Sequence, residues 1–177
     1  ALGLDALQSN TTASNNTAVG YDSLQANTSG TQNTVVGALA GDAIDTANYN
    51  TAMGYAALSN DAGDANTAMG RCALNATTGS NNVGMGYHSL CANNTGSNNT
   101  AVGLNSLLKN TTGSGNTSLG YLALCANTTP GNNTAIGSCA LMNSQTGGSL
   151  VAVGFCALAS NSGNQNTAVG DRAMKTN

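Results

Sequence analysis

The chain has 177 residues, four of them Lys or Arg, seven Asp or Glu and one His, for a net charge of -3; charged residues make up 6% and aromatics 3%. Ordinary soluble chains are roughly 25% charged, so solvation here falls to Asn, Thr, Ser and the backbone. The four bases, Arg71, Lys109, Arg172 and Lys175, are scattered, which excludes an electrostatic footprint for nucleic acid or for an anionic membrane. No charged-then-apolar leader and no run of about 18 apolar residues occurs, so membrane insertion is not expected and any secretion signal is expected outside these residues.

A repeat organises the chain. Asn16-Thr17-Ala18-Val19-Gly20-Tyr21 returns in near copies down to Asn166-Thr167-Ala168-Val169-Gly170. The marker glycines are Gly3, Gly20, Gly37, Gly54, Gly70, Gly86, Gly103, Gly120, Gly137, Gly154 and Gly170, at steps of 16 or 17 residues. A unit this short cannot bury an apolar face alone, and stacking successive copies solves that problem. The expectation is one all-β repeat domain over 1-177, a β-solenoid or β-roll of about eleven coils. Helical solenoids fail because runs between turn clusters fall short of 10 residues and Gly, Asn, Thr and Val form helices weakly. At about 4.8 Å per coil the rod would be on the order of 50 Å long. Ala1-Leu2-Gly3 and the last coil both break off inside the repeat, so the chain is expected to be a piece of a longer fibre, with caps, anchor or chaperone domains elsewhere.

Within one coil, the first feature is an Asn four residues before the glycine: Asn16, Asn33, Asn50, Asn66, Asn82, Asn99, Asn116, Asn133 and Asn166, broken by Leu150. Stacked amides can bond along the axis, each to the coil above and below, so this column is expected to be a structural ladder. A Thr follows in most coils. A Thr array is one route to ice binding, but the second rank of Thr that a flat lattice needs is replaced by an apolar column.

That apolar column, directly before the glycine, is Val19, Val36, Met53, Met69, Met85, Val102, Leu119, Ile136, Val153 and Val169. Four residues after the glycine stand Leu24, Leu58, Leu74, Leu90, Leu107, Leu124, Leu141 and Leu158, with Gly41 the exception. These two columns are expected to form the core. The residue after the glycine is aromatic in alternate coils, Tyr21, Tyr55, Tyr87, Tyr121 and Phe155, which would space rings by roughly 9.6 Å. Such a ladder could face a ligand and stack sugar rings, or it could pack. Three residues after the glycine only Ala or Ser occurs, implying close approach. The rest of the coil, as in Ala26-Asn27-Thr28-Ser29-Gly30, is turn chemistry. One short strand is expected around Thr-Ala-Val-Gly-Tyr and a second around the Ser/Ala-Leu pair.

In the first strand Thr17, Val19 and Tyr21 face one way and Ala18, Gly20 and Asp22 the other. A strand apolar on both faces is normally covered on both. Association with other chains is therefore expected, the small columns letting backbones approach; the alternative is a single roll whose small residues fit its own interior.

The unit is similar to the head repeats of YadA-type trimeric autotransporter adhesins, N-S-V-A-I-G-x-x-S-x-A-x-G, through Asn16-Thr17-Ala18-Val19-Gly20-Tyr21-Asp22-Ser23. It also resembles N-T-A-V-G-Y repeats in the shafts of phage tail fibres. It departs from the adhesin unit in length, 16 or 17 residues rather than about 14. The resemblance implies a homotrimeric β-roll, extracellular or on a virion, that attaches to a surface such as a cell-surface glycan, with no cofactor and no catalytic residue.

Asp42, Asp45, Asp61 and Asp64 lie in the loops of two coils, and Asp45 with Asp61 is the one candidate for Ca2+. The loop lacks the spacing of a calcium loop, so solvated acids compete with that reading and no metal is assigned. Of five cysteines, Cys139 and Cys156 share a column in adjacent coils, within disulfide reach, whereas Cys91 and Cys125 are two coils apart. Cys72 and His88 also share a column, but a nucleophile pair needs a third orienting group and a pocket, and a regular rod supplies neither, so no enzyme is expected. Asn10-Thr11-Thr12, Asn27-Thr28-Ser29, Asn110-Thr111-Thr112 and Asn127-Thr128-Thr129 match the N-glycosylation acceptor pattern on what would be exposed loops. The leading expectation is an adhesive or structural fibre segment. The alternatives are a glycan- or ice-binding module and a self-assembling extracellular filament.

Overall fold

The computed structural model describes residues 1–176. It is an all-β solenoid built on ten three-residue strands: β1 Thr17–Val19, β2 Thr34–Val36, β3 Thr51–Met53, β4 Thr67–Met69, β5 Val83–Met85, β6 Thr100–Val102, β7 Thr117–Leu119, β8 Thr134–Ile136, β9 Val151–Val153 and β10 Thr167–Val169. They form one parallel sheet in sequence order. Register follows the repeat: Thr17 pairs Thr34, Val19 pairs Val36, and each later coil repeats the match. A bridge from Leu2 to Val19 continues the ladder toward the N-terminus.

Each strand ends at its marker glycine, whose φ lies between +130 and +141. That region is closed to a side chain, and space closes it again: a Cβ on Gly103 would stand 2.6 Å from the carbonyl oxygen of Gly120 in the next coil. The invariant glycine is therefore a stack of backbones in contact.

The second expected strand is not one. The Ser/Ala-Leu segment is a run of tight turns, because the residues two and four after the glycine are left-handed, Asn105 at φ 55 and Leu107 at φ 52 for example. Backbone bonds then alternate. Ser106 N–H donates back to Gly103 O at 3.3 Å, Leu107 N–H donates to Ala123 O of the next coil at 3.0 Å, and Asn105 N–H to Tyr87 O of the previous one at 3.0 Å. A left-handed Leu costs about 1–2 kcal/mol. Full burial of its side chain contributes about 1.5–3 kcal/mol, so the conformation is sustained.

The core corrects the sequence reading on one of its two columns. The Leu column is buried as expected, from Leu24 to Leu158, and so is the Ala/Ser column three after the glycine. The column before the glycine lies outside. Val19, Val36, Met69, Val102 and Val153 are half-buried, and Met53, Met85, Leu119, Ile136 and Val169 are exposed. The strand's middle residue faces in instead: Ala18, Val35, Ala52, Ala68, Ala101, Ser118, Ala135 and Ala152 are fully buried. The roll is too thin to hold two large columns. A Cβ on Gly84, in that middle column, would meet Leu74 Cγ at 3.0 Å and Ser89 Oγ at 3.1 Å. The small columns thus pack inside their own chain, so they are not an interface to another. Where Gly41 replaces Leu, the volume is restored by Val35 and Ile44, both fully buried.

Candidate interaction face

The interior polar columns define the scaffold. Each ladder Asn accepts, through Oδ1, the backbone N–H of the next rung: Asn33 to Asn16 at 2.9 Å, Asn99 to Asn82 at 3.0 Å, Asn116 to Asn99 at 2.9 Å and Leu150 to Asn133 at 2.9 Å. The ladder runs along the axis as expected, but mainly from side chain to backbone rather than amide to amide. Most Nδ2 groups turn to the loop carbonyls, Asn99 to Gly113 O at 2.8 Å and Asn16 to Gly30 O at 2.7 Å, while Asn50 Nδ2 is buried without an acceptor.

A second interior column, seven residues after the glycine, escaped the sequence reading. Here amide bonds to amide: Asn27 Nδ2 donates to Asn10 Oδ1 at 3.0 Å, Asn110 to Asn93 at 2.8 Å and Asn127 to Asn110 at 2.9 Å. Both columns converge on one carbonyl per coil. Gly113 O, for example, accepts Asn99 Nδ2 and also Asn110 Nδ2 at 2.9 Å. Asn27, Asn110 and Asn127 are fully buried, which corrects their reading as acceptors on exposed loops. Ile44 interrupts the column above Asn27, leaving Asn27 Oδ1 buried without a donor.

A third ladder lies in the loops and accounts for three of the four loop acids, Asp45, Asp61 and Asp64. Thr28 N–H donates to Asp45 Oδ1 at 3.3 Å, Asp45 N–H to Asp61 Oδ1 at 3.4 Å and Asn48 N–H to Asp64 Oδ1 at 2.7 Å. Asp45 and Asp61 are adjacent, as the register requires, yet each is engaged with the backbone of the preceding coil. Among the described residues no three side chains of metal-ligating type come together, and no pocket is enclosed.

Outside, the alternate residues of the strands form three ranks. Thr or Val stands first, then the Val19-to-Val169 column, then the residue after the glycine. The first rank is Thr in eight of the ten strands and the second is apolar throughout, so among the described residues the sheet presents an uncharged, in-register surface, hydroxyls beside an apolar column that its own chain leaves partly uncovered. The aromatic rank also points outward, with Tyr21, Tyr55, Tyr87, Tyr121 and Phe155 between 44% and 52% exposed. Arg71 fills the gap between two of the rings, its guanidinium 5.6 Å from the centres of both Tyr55 and Tyr87. His88 stacks on Tyr87 at 4.0 Å and 15°, and its Nε2 lies 3.3 Å from an Arg71 nitrogen. Cys72 and His88 therefore share a column, as read from sequence, while the His ring is held by Tyr87 and Arg71.

No helix is long and apolar enough to cross a membrane among the described residues. No family model, curated protein or solved structure matches this chain.

Proposed function

We propose that the chain is a structural and adhesive fibre segment whose outward apolar face packs against two further copies of itself, outside a cell or on a virion. The observation that carries this reading is the uncovered Val/Met/Leu/Ile column, half of whose members are exposed. Contiguous exposed apolar surface of this kind marks an interaction site. Ten three-residue strands at about 4.8 Å spacing and about 3.3 Å per residue give a face on the order of 500 Å² before side-chain relief, shared between the two partner copies. The number three rests on the resemblance of the repeat unit to trimeric fibres. The mechanism is mechanical: axial ladders give stiffness, coil number sets reach, and identical sites on successive coils attach to a repetitive surface through avidity.

Replacing Val102 and Ile136 together by Asp tests the interface. Both side chains point outward, so the roll should keep its circular dichroism spectrum while its sedimentation coefficient drops to that of one chain. An unchanged coefficient would remove the face from the assembly. A second reading is favoured by the Tyr55-Arg71-Tyr87 platform, an exposed aromatic surface with a cation between its rings, which suits a glycan receptor. Glycan-array binding that disappears in Tyr87→Ala supports it, and silence of the array removes it.

A further inference from the structure

All five cysteines stand on one flank of the solenoid, in the columns two and five residues after the marker glycine, and all are free and half-buried. The two columns touch: within a coil Gln25 Nε2 donates to Asp22 Oδ1 at 2.9 Å, and Gln8 to Asp5 at 3.0 Å. Only Cys139 and Cys156 occupy the same column in successive coils. Cys72 with Cys91, and Cys125 with Cys139, straddle the two columns, and Leu108 separates Cys91 from Cys125.

The Cys139–Cys156 register is held from every side. Cys156 N–H donates to Ser138 O at 2.9 Å, Gly137 and Gly154 stack in backbone contact, and Leu141 and Leu158 are fully buried behind them. The coil spacing of about 4.8 Å lies inside the Cα separation that a disulfide requires, about 4.4–6.8 Å. Both residues are left-handed, at φ 59 and 53.

We infer that Cys139 and Cys156 are a redox modification site that closes into an axial disulfide by exchange with a small anionic disulfide of the glutathione class. Cys156 is the entry point, because Lys175 stands in the neighbouring column of the next coil as a cation for the anionic reagent, and Arg172, 3.5 Å from Asp171 and over the Phe155 ring, follows Cys156 in its own column. Desolvation and the Cys139 thiol push the Cys156 thiol up, while Lys175 and Arg172 pull against that shift. The Cys156 thiolate displaces one thiolate from the reagent and leaves a mixed disulfide. Cys139 then loses its proton, and its sulfur attacks Cys156 Sγ and expels the second thiolate. Two protein thiols are oxidised, one external disulfide is reduced to two thiols, and the two protons pass to the departing sulfurs. The bond ties two coils along the axis and restrains them from separating, as a cross-link does by constraining the opened chain.

The test incubates the native full chain with oxidised glutathione, then unfolds it, alkylates it and maps its peptides by mass spectrometry. The expected result is three alkylated cysteines of the five, a mass lower by two hydrogens, and a linked peptide joining residues 139 and 156. Cys139→Ser should stop at one glutathione carried on Cys156, and Cys156→Ser should form no link. Five alkylated cysteines, a persistent glutathione adduct on the unsubstituted chain, or a link between another pair would each overturn the assignment. The map of the unsubstituted chain decides this without the variants.

Discussion

At the scale of single residues, amides do work that charges do elsewhere. Asn99 accepts the Asn116 N–H and donates to Gly113 O and Asn82 Oδ1, all out of reach of water. Asn99→Ala strips those partners from buried groups, which costs about 1–3 kcal/mol for each group left unsatisfied. The urea midpoint should fall accordingly, while an exposed control such as Asn94→Ala should leave it unchanged. Asp42 behaves in the opposite sense to most carboxylates. Burial pushes its carboxyl up, with Asp22 adding to the effect against hydrogen bonds from its own backbone and that of Ala43, and its Oδ1 is buried without a donor. The folded state therefore holds the proton more tightly than the unfolded chain, so this group's contribution to stability grows as pH falls through the folded-state value and declines as pH rises. Thermal melts of Asp42→Asn against the parent should show the variant gaining most at neutral pH, with the gap closing in acid.

The Asn column before the glycine was legible because nine coils repeat it. Its bonding was not, since spacing cannot tell whether an amide meets the next amide or the next backbone N–H. The second Asn column was hidden for two reasons. Ile44, Asp61, Thr77 and Ser144 interrupt it, and its Asn-Thr pairs resemble glycosylation acceptors.

At the scale of the element, period revealed the coil and misassigned its faces. Alternation showed that Thr17, Val19 and Tyr21 share a side, but with Val19 apolar on one side and Ala18 apolar on the other hydropathy could not say which side is in. Thickness decides it: Leu from the turn run fills the roll, and only Ala, Ser, Gly or a compensated Val fits opposite. The run of left-handed turns was equally hidden, because Leu has no preference for that conformation and adopts it here only for its burial. The glycine is the most sensitive element position. Gly103→Ala adds a methyl group at φ +130 and 2.6 Å from Gly120 O. It should destabilise the roll by more than the roughly 1 kcal/mol typical of a point substitution, whereas Gly→Ala at a position that an L residue can adopt stabilises. Denaturant unfolding checks this, and a midpoint matching the parent would mean that the backbone stack has slack.

At the scale of the whole molecule, each coil touches only its neighbours, so stability is a sum of coil and interface contributions and opening starts at the ends. Among the described residues nothing covers the outward sheet, and the fibre reading proposed above rests on that face. The most direct test is the mass of the native chain in solution, by light scattering over a dilution series. The expected result is a species at three times the 17.3 kDa chain mass that persists on dilution. A well-folded particle at one chain mass, at every concentration, would contradict the fibre reading and leave the apolar face without the partner proposed for it.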